Sequence, residues 1–304
     1  MLRAGRARPE STTDPRRPYL LLAPPLSVMV LGVGLPLLLL IACSFWTQTD
    51  VGLDHTPSLA NYLQFVQRPL YARLLERSLL VSLATMMATV VLAYPMAYLI
   101  AFHGGRHRTT WLMLVTVPYF TSYLLRIFAW KVILGYGGVI NSGLLQLGII
   151  DAPLQMLLYN PFAVVVSLTQ AWLPFVLLPI YVSLAAIDPS LRESAADLGD
   201  GPWHRFTRVL LPLSMPGVIS GALLVFIPTV GDYVTPALVG GVSGTLIGNV
   251  IQGQFGRGNN WPMGSALSLI MMAATAVSAL TLQWSLARGS LARGRLVQRP
   301  RVPA

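Results

Sequence analysis

The sequence predicts an all-α polytopic membrane protein with six transmembrane helices. Of its 304 residues, 54% are hydrophobic and 11% are charged, whereas soluble domains carry roughly 25% charged residues. Apolar runs with few charged residues recur along the chain, and each is close to the length of about 20 residues that a helix needs to cross the hydrocarbon core of a bilayer. Arginine-rich segments stand at both ends of the chain, outside these runs.

Six apolar runs meet this length requirement, at residues 20–45, 78–102, 111–134, 161–187, 213–232 and 264–286. Prolines inside the runs are compatible with helices, because neighbouring helices and local adjustments satisfy the backbone groups that a proline leaves free in a membrane. Three longer connections fall on one side of the membrane, at residues 50–76, 135–160 and 234–262. In the last of them, apolar residues at helical spacing predict a short helix, which is either an interfacial surface helix or a gate or docking surface.

The distribution of arginine predicts the orientation and the domain limits. Residues 1–17 and 288–304 are basic tails with five arginines each, and they flank a transmembrane domain at residues 18–287. Arg106 and Arg108 lie in a loop on the same side as both tails. Basic loops are typical of the cytoplasmic side of a membrane, so we expect both termini to be cytoplasmic. This pattern explains the net charge of +10 by membrane topology, and we expect membrane lipid, not nucleic acid, as a partner.

A polar segment at residues 188–217 separates the fourth run from the fifth and lies in the cytoplasm on this topology. Asp188 followed by Pro189 predicts a helix start, because aspartate caps free N–H groups and proline fits the first helical position. Gly199 predicts the end of that helix, because glycine accepts the left-handed backbone of a C-terminal cap.

The same segment contains a second helical signal. Asp200-Gly201-Pro202 predicts a new helix that ends near residue 211 and carries Trp203, Phe206 and Leu210 on one side. Residues 188–212 are therefore predicted to form a helix-turn-helix elbow in water. Ordinary connections between spans are short and irregular, so the elbow indicates a surface that meets another molecule.

The elbow carries a family resemblance. It contains Glu193-Ser194-Ala195, three residues, Gly199, nine residues, Val209, one residue and then Leu211-Pro212. This order resembles the EAA loop of binding-protein-dependent ABC importer permeases, with Ser194 in place of Ala and Val209 in place of Ile. The loop also has the family's position, between the fourth and fifth of six spans.

The resemblance implies a type I ABC importer permease fold in the bacterial inner membrane, with a coupling loop at residues 188–212 that docks on a cytoplasmic ATPase subunit. It assigns the ATPase-coupling role to Glu193, Ser194, Ala195, Ala196, Gly199, Val209, Leu211 and Pro212. Two partner ATPase subunits would bind ATP and Mg²⁺, and this chain would be a non-catalytic subunit without a cofactor. The chain itself has one lysine, Lys131, and no phosphate-binding loop of the G-x-x-x-x-G-K-[ST] type.

A second set of segments indicates the class of cargo. Residues 117–134, 231–241, 247–255 and 260–266 are similar to the permease subunits of spermidine/putrescine importers. This similarity implies a polyamine cargo, a second related permease subunit in a heterodimer and a periplasmic solute-binding protein. Other small organic solutes are carried by permeases with the same sequence features, and this alternative stays open.

The candidate substrate path centres on Asp232, which follows an uncharged run of the fifth span. An ionisable group at membrane depth is costly and usually faces a cavity. Asp232 therefore meets a cationic cargo, caps a helix or pairs with a basic residue, either Arg126 or Lys131. Aromatic faces attract ammonium groups but are also typical interface anchors, and the candidates near Asp232 are Tyr123, Trp130 and Tyr233.

Two other classes of protein compete with the importer hypothesis. An intramembrane enzyme needs several catalytic groups that converge within the spans, and a metal site needs a cluster of ligands. Cys43 is the only cysteine and the four histidines are scattered, so we expect no catalytic residue and no metal. A passive channel does not need an elbow with the EAA pattern. Copurification of an ATPase subunit distinguishes both rivals from the importer.

Overall fold

The computed structural model describes residues 24–49 and 52–297, and within them it contains six helices long and apolar enough to cross a membrane. The number of predicted spans is therefore confirmed. The six candidate spans are Pro24–Ser44, Pro69–His103, Tyr123–Gln146, Pro161–Ala185, Pro202–Val230 and Trp261–Leu286. The two predicted basic tails lie mostly outside the described residues.

The described part of the chain contains eleven helices of eight residues or more. They are α1 (Pro24–Ser44), α2 (Ala60–Gln67), α3 (Pro69–His103), α4 (Arg108–Thr116), α5 (Tyr123–Leu134), α6 (Val139–Gln146), α7 (Pro161–Ala185), α8 (Pro189–Asp197), α9 (Pro202–Val230), α10 (Ile247–Phe255) and α11 (Trp261–Val297). The core sits where α3, α7 and α9 pack against one another. Helix α11 packs on α9 and on α1, whose apolar residues stay exposed on the outside of the bundle.

The predicted all-α fold class is confirmed, and one short hairpin accompanies the helices of the described residues. Strands β1 (Thr47–Thr49) and β2 (Gly52–Asp54) pair antiparallel in the connection between α1 and α2. This connection leaves the apolar segment, so its backbone groups find partners across a hairpin. The buried Asn61 side chain anchors it to α2, because its amide donates to the carbonyl oxygens of Ser44 at 2.9 Å and Trp46 at 2.7 Å.

The prediction of one continuous third span at residues 111–134 is wrong. Helix α4 ends at Thr116, a 3₁₀ turn follows at Val117–Phe120, and α5 begins only at Tyr123. Pro118 lacks the N–H that a continuous α-helix would need. Thr121 and Ser122 have extended backbone, with ψ of 156° and 134°. The candidate span instead combines α5 with α6, across a turn that begins at Gly135.

The fifth span is longer than predicted. The second helix of the elbow does not stop near residue 211 but continues as α9 to Val230. A π turn at Phe206–Leu210 ends two positions before Pro212. Such a wider turn accommodates a residue that cannot donate its own N–H, so the helix passes the proline without ending. The elbow is therefore continuous with a membrane span.

Close packing of α9 on α7 depends on two glycines. A methyl group at Gly217 would collide with the carbonyl oxygen of Pro179 and with the Ser183 side chain, and one at Gly221 would lie 3.0 Å from the Cα of Val176. Small residues at such positions let two membrane helices approach closely. One turn before Gly217, the hydroxyls of Tyr94 and Ser214 are hydrogen-bonded at 2.8 Å and connect α9 to α3.

We expect Gly217→Ala to destabilise the helix bundle. The added methyl group forces α7 and α9 apart, and overpacking of this kind costs about 1–3 kcal/mol. Gly253→Ala on α10 is the matched control, because nothing lies within 4 Å of its added methyl group and alanine favours helix formation. Melting temperatures of the purified protein in detergent measure both effects. Equal melting temperatures for Gly217→Ala and the wild type would contradict the packing argument.

Candidate functional site

The elbow begins and ends with the local structure that its sequence predicts. The Asp188 carboxylate accepts a hydrogen bond from the backbone N–H of Ser190 at 2.9 Å, and Pro189 occupies the first turn of α8. Hydrogen bonds from Ser190 lower the pKa of Asp188. A group with a lowered pKa loses its contribution only as the pH falls through that pKa, so this cap stays ionised at neutral pH.

A left-handed glycine closes α8. Gly199 has φ of +83°, which confirms the predicted backbone. Its N–H donates to the carbonyl of Ala196 at 2.9 Å, and the N–H of Asp200 donates to the carbonyl of Ala195 at 3.1 Å. This pair of bonds is a Schellman motif, which satisfies the last carbonyl groups of a helix and turns the chain. The turn directs the chain into α9.

Side-chain contacts brace the second arm of the elbow and hold it to the bundle. Arg208 forms an ion pair with Asp200 at 3.2 Å. The Trp203 ring stacks on Phe206 with centroids 5.6 Å apart, and Phe206 meets Tyr94 of α3 edge-on at 5.5 Å. These contacts, and the buried Leu210, confirm the predicted apolar side of the second arm. Trp203 itself remains 71% exposed.

The predicted coupling residues fall into two groups. On α8 and its cap, Glu193, Ser194, Ala196 and Gly199 are exposed and Ala195 is buried. At the junction of elbow and span, Val209, Leu211 and Pro212 are half-buried within α9. The structure therefore places the first group, apart from Ala195, on an accessible face and the second where α9 enters the bundle. Leu198, at 86% exposure, adds an apolar side chain to the accessible face.

Asp232 lies at the other end of α9, in a hydrogen-bonded turn. Its Oδ1 accepts from the backbone N–H of Val234 at 3.0 Å and lies 3.5 Å from that of Thr235, so it caps the turn that follows. Its Oδ2 accepts from the Tyr123 hydroxyl at 2.9 Å. The Tyr123 and Thr235 hydroxyls are 2.7 Å apart. Helix capping, one of the sequence alternatives, is thus observed.

Pairing of Asp232 with Arg126 or Lys131 is not observed. Within the described residues, Arg208 and Asp200 form the only ion pair with an N···O distance of 4.0 Å or less. The Arg126 guanidinium carbon lies 4.4 Å from the centroid of the Tyr119 ring, and the Lys131 ammonium lies 5.9 Å from that of Phe128. The carboxylate of Asp232 is therefore hydrogen-bonded but not neutralised by a direct basic partner in this part of the chain.

The aromatic candidates separate in space. Tyr123 contacts Asp232 directly. The indole N–H of Trp130 instead donates to the side-chain oxygen of Gln170 on α7 at 3.3 Å. The Tyr233 side chain is 47% exposed, and its carbonyl accepts from Asn249 at 2.7 Å. Tyr123 and Asp232 therefore form the centre of this candidate site.

Two contacts escaped the sequence reasoning. Thr235, at the third position after Asp232, follows the spacing of an aspartate cap, and this spacing is the signal that predicts its position. The ion pair of Asp200 with Arg208 joins the turn before the second arm to the arm itself. No local sequence pattern predicts this pair.

A six-span bundle with an ordered, exposed elbow at one end and a hydrogen-bonded carboxylate at the other defines the membrane subunit of a transporter. The family described as "Binding-protein-dependent transport system inner membrane component" matches residues 78–288. The chain belongs to this family. It is a multi-pass inner membrane protein with the type I ABC importer permease fold.

Two curated relatives and one solved structure are similar to the chain. The spermidine/putrescine transport system permease protein PotB of Haemophilus influenzae is 38% identical over 244 residues, which cover 80% of this chain and 85% of the relative. The inner membrane ABC transporter permease protein YdcU of Escherichia coli is 32% identical over 266 residues, which cover 83% and 84%. A bacterial ABC transporter for import of the acidic polysaccharide alginate has 18% identity and a TM-score of 0.66, with 90% of this chain and 96% of that chain covered. At this identity the structure supports the fold alone.

We expect Gly199→Val to disorder the end of α8, while Gly201→Val does not. Neither glycine has an atom within 4 Å of an added methyl group, so space does not distinguish them. Gly199 has φ of +83° and Gly201 has φ of −65°, and a β-branched residue resists the first conformation. The strain is on the order of 1–2 kcal/mol. Amide hydrogen exchange in α8 measures it, and equal exchange rates in both variants would disprove this role of Gly199.

Proposed function

We propose that the chain is the permease subunit of an ATP-driven importer that carries a polyamine, spermidine or putrescine, across the bacterial inner membrane. The observation that carries this proposal is the 38% identity over 80% of the chain to permeases named for spermidine/putrescine transport. Import of another small organic solute by the same architecture is the alternative. Uptake of labelled spermidine by vesicles that contain the whole transporter tests the polyamine proposal. Uptake that persists without ATP would favour a passive channel.

The proposed assembly contains a second related permease subunit, two ATPase subunits and a periplasmic solute-binding protein. A separate permease, a PotC homolog of Mycoplasma genitalium, is 30% identical over 123 residues, which supports a pair of related permeases. A structural neighbour is an alginate transporter in complex with a periplasmic protein, which supports a delivered cargo. In this assembly ATP and Mg²⁺ bind to the ATPase subunits, and the present chain takes no part in hydrolysis.

The elbow at residues 188–212 is the proposed docking surface for an ATPase subunit. Exposed apolar side chains at Leu198 and Trp203 are typical of a surface that is covered by another protein. The Glu193 carboxylate of α8 is also exposed and has no ion-pair partner among the described residues. The continuity of the elbow with α9 supports transmission of a movement from the docking surface into the membrane.

The proposed orientation places both termini and the elbow in the cytoplasm, because basic residues accumulate on that side. We expect single cysteines at positions 107 and 200, in a variant without Cys43, to resist a membrane-impermeant thiol reagent applied from the periplasm. Cysteines at positions 55, 150 and 255 should react with it. Periplasmic labelling at position 200 would reverse the scheme and remove the basis for docking on a cytoplasmic ATPase.

We expect Glu193→Lys to leave the protein inserted but to weaken its association with the ATPase about tenfold or more, because a charge reversal at a docked surface costs at least 1.4 kcal/mol or so. Asp151→Lys is the matched control, since it reverses an exposed acid outside the elbow. Copurification of the ATPase and spermidine uptake should be measured together with membrane levels. Normal values for both with Glu193→Lys would show that the elbow is a simple connector.

Asp232 and Tyr123 are the proposed contact for a cationic cargo. The carboxylate is half-buried and carries no direct basic partner within the described residues, so a passing ammonium group finds an available negative charge. The neighbouring aromatic surface already holds a cation, because the Arg126 guanidinium lies 4.4 Å from the Tyr119 ring and 5.8 Å from the Tyr123 ring. Cation–π attraction is not specific for arginine, so it is also available to an ammonium group.

We expect Asp232→Asn to lower spermidine uptake about tenfold, because a hydrogen bond to a charged group is worth roughly 1.5–3 kcal/mol. Asparagine caps a turn as well as aspartate does, so the substitution removes the charge and keeps the shape. Tyr123→Phe is the control for the hydrogen bond alone and should lower uptake less. Unchanged uptake by a stable Asp232→Asn protein would remove Asp232 from the cargo path and leave the importer proposal intact.

A further inference from the structure

A groove of about 620 Å³ runs along the bundle between α3, α9 and the elbow. Its walls are apolar and come from Val90, Val91, Leu211 and Val218, among others. At the elbow end the lining changes to basic side chains, Arg192 of α8 and Arg205 of α9, with His103 beside them. No carboxylate is among the described residues that line the groove. The groove therefore has an apolar length and one cationic end.

The length of the groove matches one leaflet of a membrane. His103 lies thirteen positions after Val90 on α3, both in the lining, and at a rise of 1.5 Å per residue this is about 20 Å. Half of the hydrocarbon core is about 15 Å thick. The apolar walls thus extend from near the middle of the bilayer to the level of the headgroups, where the basic residues lie.

The two arginines at this end are poorly satisfied within the protein. The Nε of Arg205 is buried and has no hydrogen-bond partner among the described residues. The Arg192 guanidinium carbon lies 4.2 Å from the centroid of the Phe102 ring, which orients it without neutralising it. Neither forms an ion pair in the described part of the chain. Both arginines line the groove without a carboxylate beside them in the lining, so an anionic ligand at this end would meet two guanidinium groups.

We propose that the groove binds an anionic phospholipid of the cytoplasmic leaflet. The phosphate is held between Arg192 and Arg205, and an acyl chain lies along Val90, Val91 and Val218. Guanidinium groups bind phosphate oxygens by paired hydrogen bonds, and basic pockets between membrane helices on the cytoplasmic side suit lipid headgroups. The proposal rests on the proposed orientation of the elbow but not on the identity of the cargo.

The position of this lipid gives it a mechanical role. Arg192 belongs to α8, Arg205 belongs to the second arm of the elbow, and the acyl chain contacts the spans. One phosphate would therefore bridge both arms and tie them to the membrane at the level where α9 enters it. The bound lipid is a structural brace for the elbow, and its loss would let α8 move separately from α3.

The test uses the intact transporter with all its subunits, reconstituted in vesicles of phosphatidylcholine with phosphatidylglycerol. After extraction in detergent, native mass spectrometry measures the phosphatidylglycerol retained. We expect the double variant Arg192→Gln/Arg205→Gln to retain at least about tenfold less lipid, because two charge-assisted contacts are lost. Arg108→Gln is the matched control, an exposed arginine at the same level that does not line the groove. Equal retention in the double variant and the control would overturn the proposal.

A second variant separates a lipid from a free anion. Val91→Trp fills the apolar part of the groove at an exposed position and leaves both arginines in place. Reduced phosphatidylglycerol retention in this variant supports a site that includes the acyl chain. Unchanged retention in Val91→Trp, or displacement of the lipid by inorganic phosphate, would show a simple anion site and contradict the proposal. Photocrosslinking from position 91 to the second permease subunit, in place of lipid, would identify the groove as a protein interface.

Discussion

The hydrocarbon core of a bilayer offers no partner to a backbone N–H or C=O group, and the whole chain is arranged around this constraint. Each apolar run has to form helical hydrogen bonds within itself. Departures from a regular helix occur near prolines, as at Pro118 and Pro212, and at the glycine turn that begins at Gly135. The groups with free hydrogen-bonding capacity, the elbow and the Asp232 turn, consequently lie at opposite ends of α9. Between these two ends, Gly217 and Gly221 allow α7 to pack closely against α9.

Local chemistry explains why much of the elbow is predictable. Asp188, Pro189 and Gly199 each act within a few residues of their own position, and the structure shows the cap, the first turn and the left-handed backbone that they predict. The number of spans is equally a property of local hydropathy. The hairpin between α1 and α2 is different, because three-residue strands depend on pairing with each other more than on their composition.

The errors in the sequence reasoning come from contacts that composition does not describe. Hydropathy does not distinguish a continuous helix from one that is broken at Thr121 and Ser122, because the apolar residues on either side of the break are the same in both cases. It also does not show that a π turn carries α9 past Pro212. The bond from Tyr123 to Asp232 joins residues 109 positions apart, so the sequence left open whether Asp232 caps a turn or pairs with a basic residue. Only the packing of α5 against this turn decides it.

The continuity of α9 has a geometric consequence. The helix has 29 residues, which is roughly 40 Å at 1.5 Å per residue. Its first residues belong to the elbow, so a rotation of the elbow moves the opposite end of the helix. A tilt of about 5° at Pro202 displaces the far end by roughly 3.5 Å over that length. This displacement exceeds the length of a hydrogen bond, so a small rotation at the membrane surface is enough to separate Asp232 from Tyr123 on the opposite side of the bilayer.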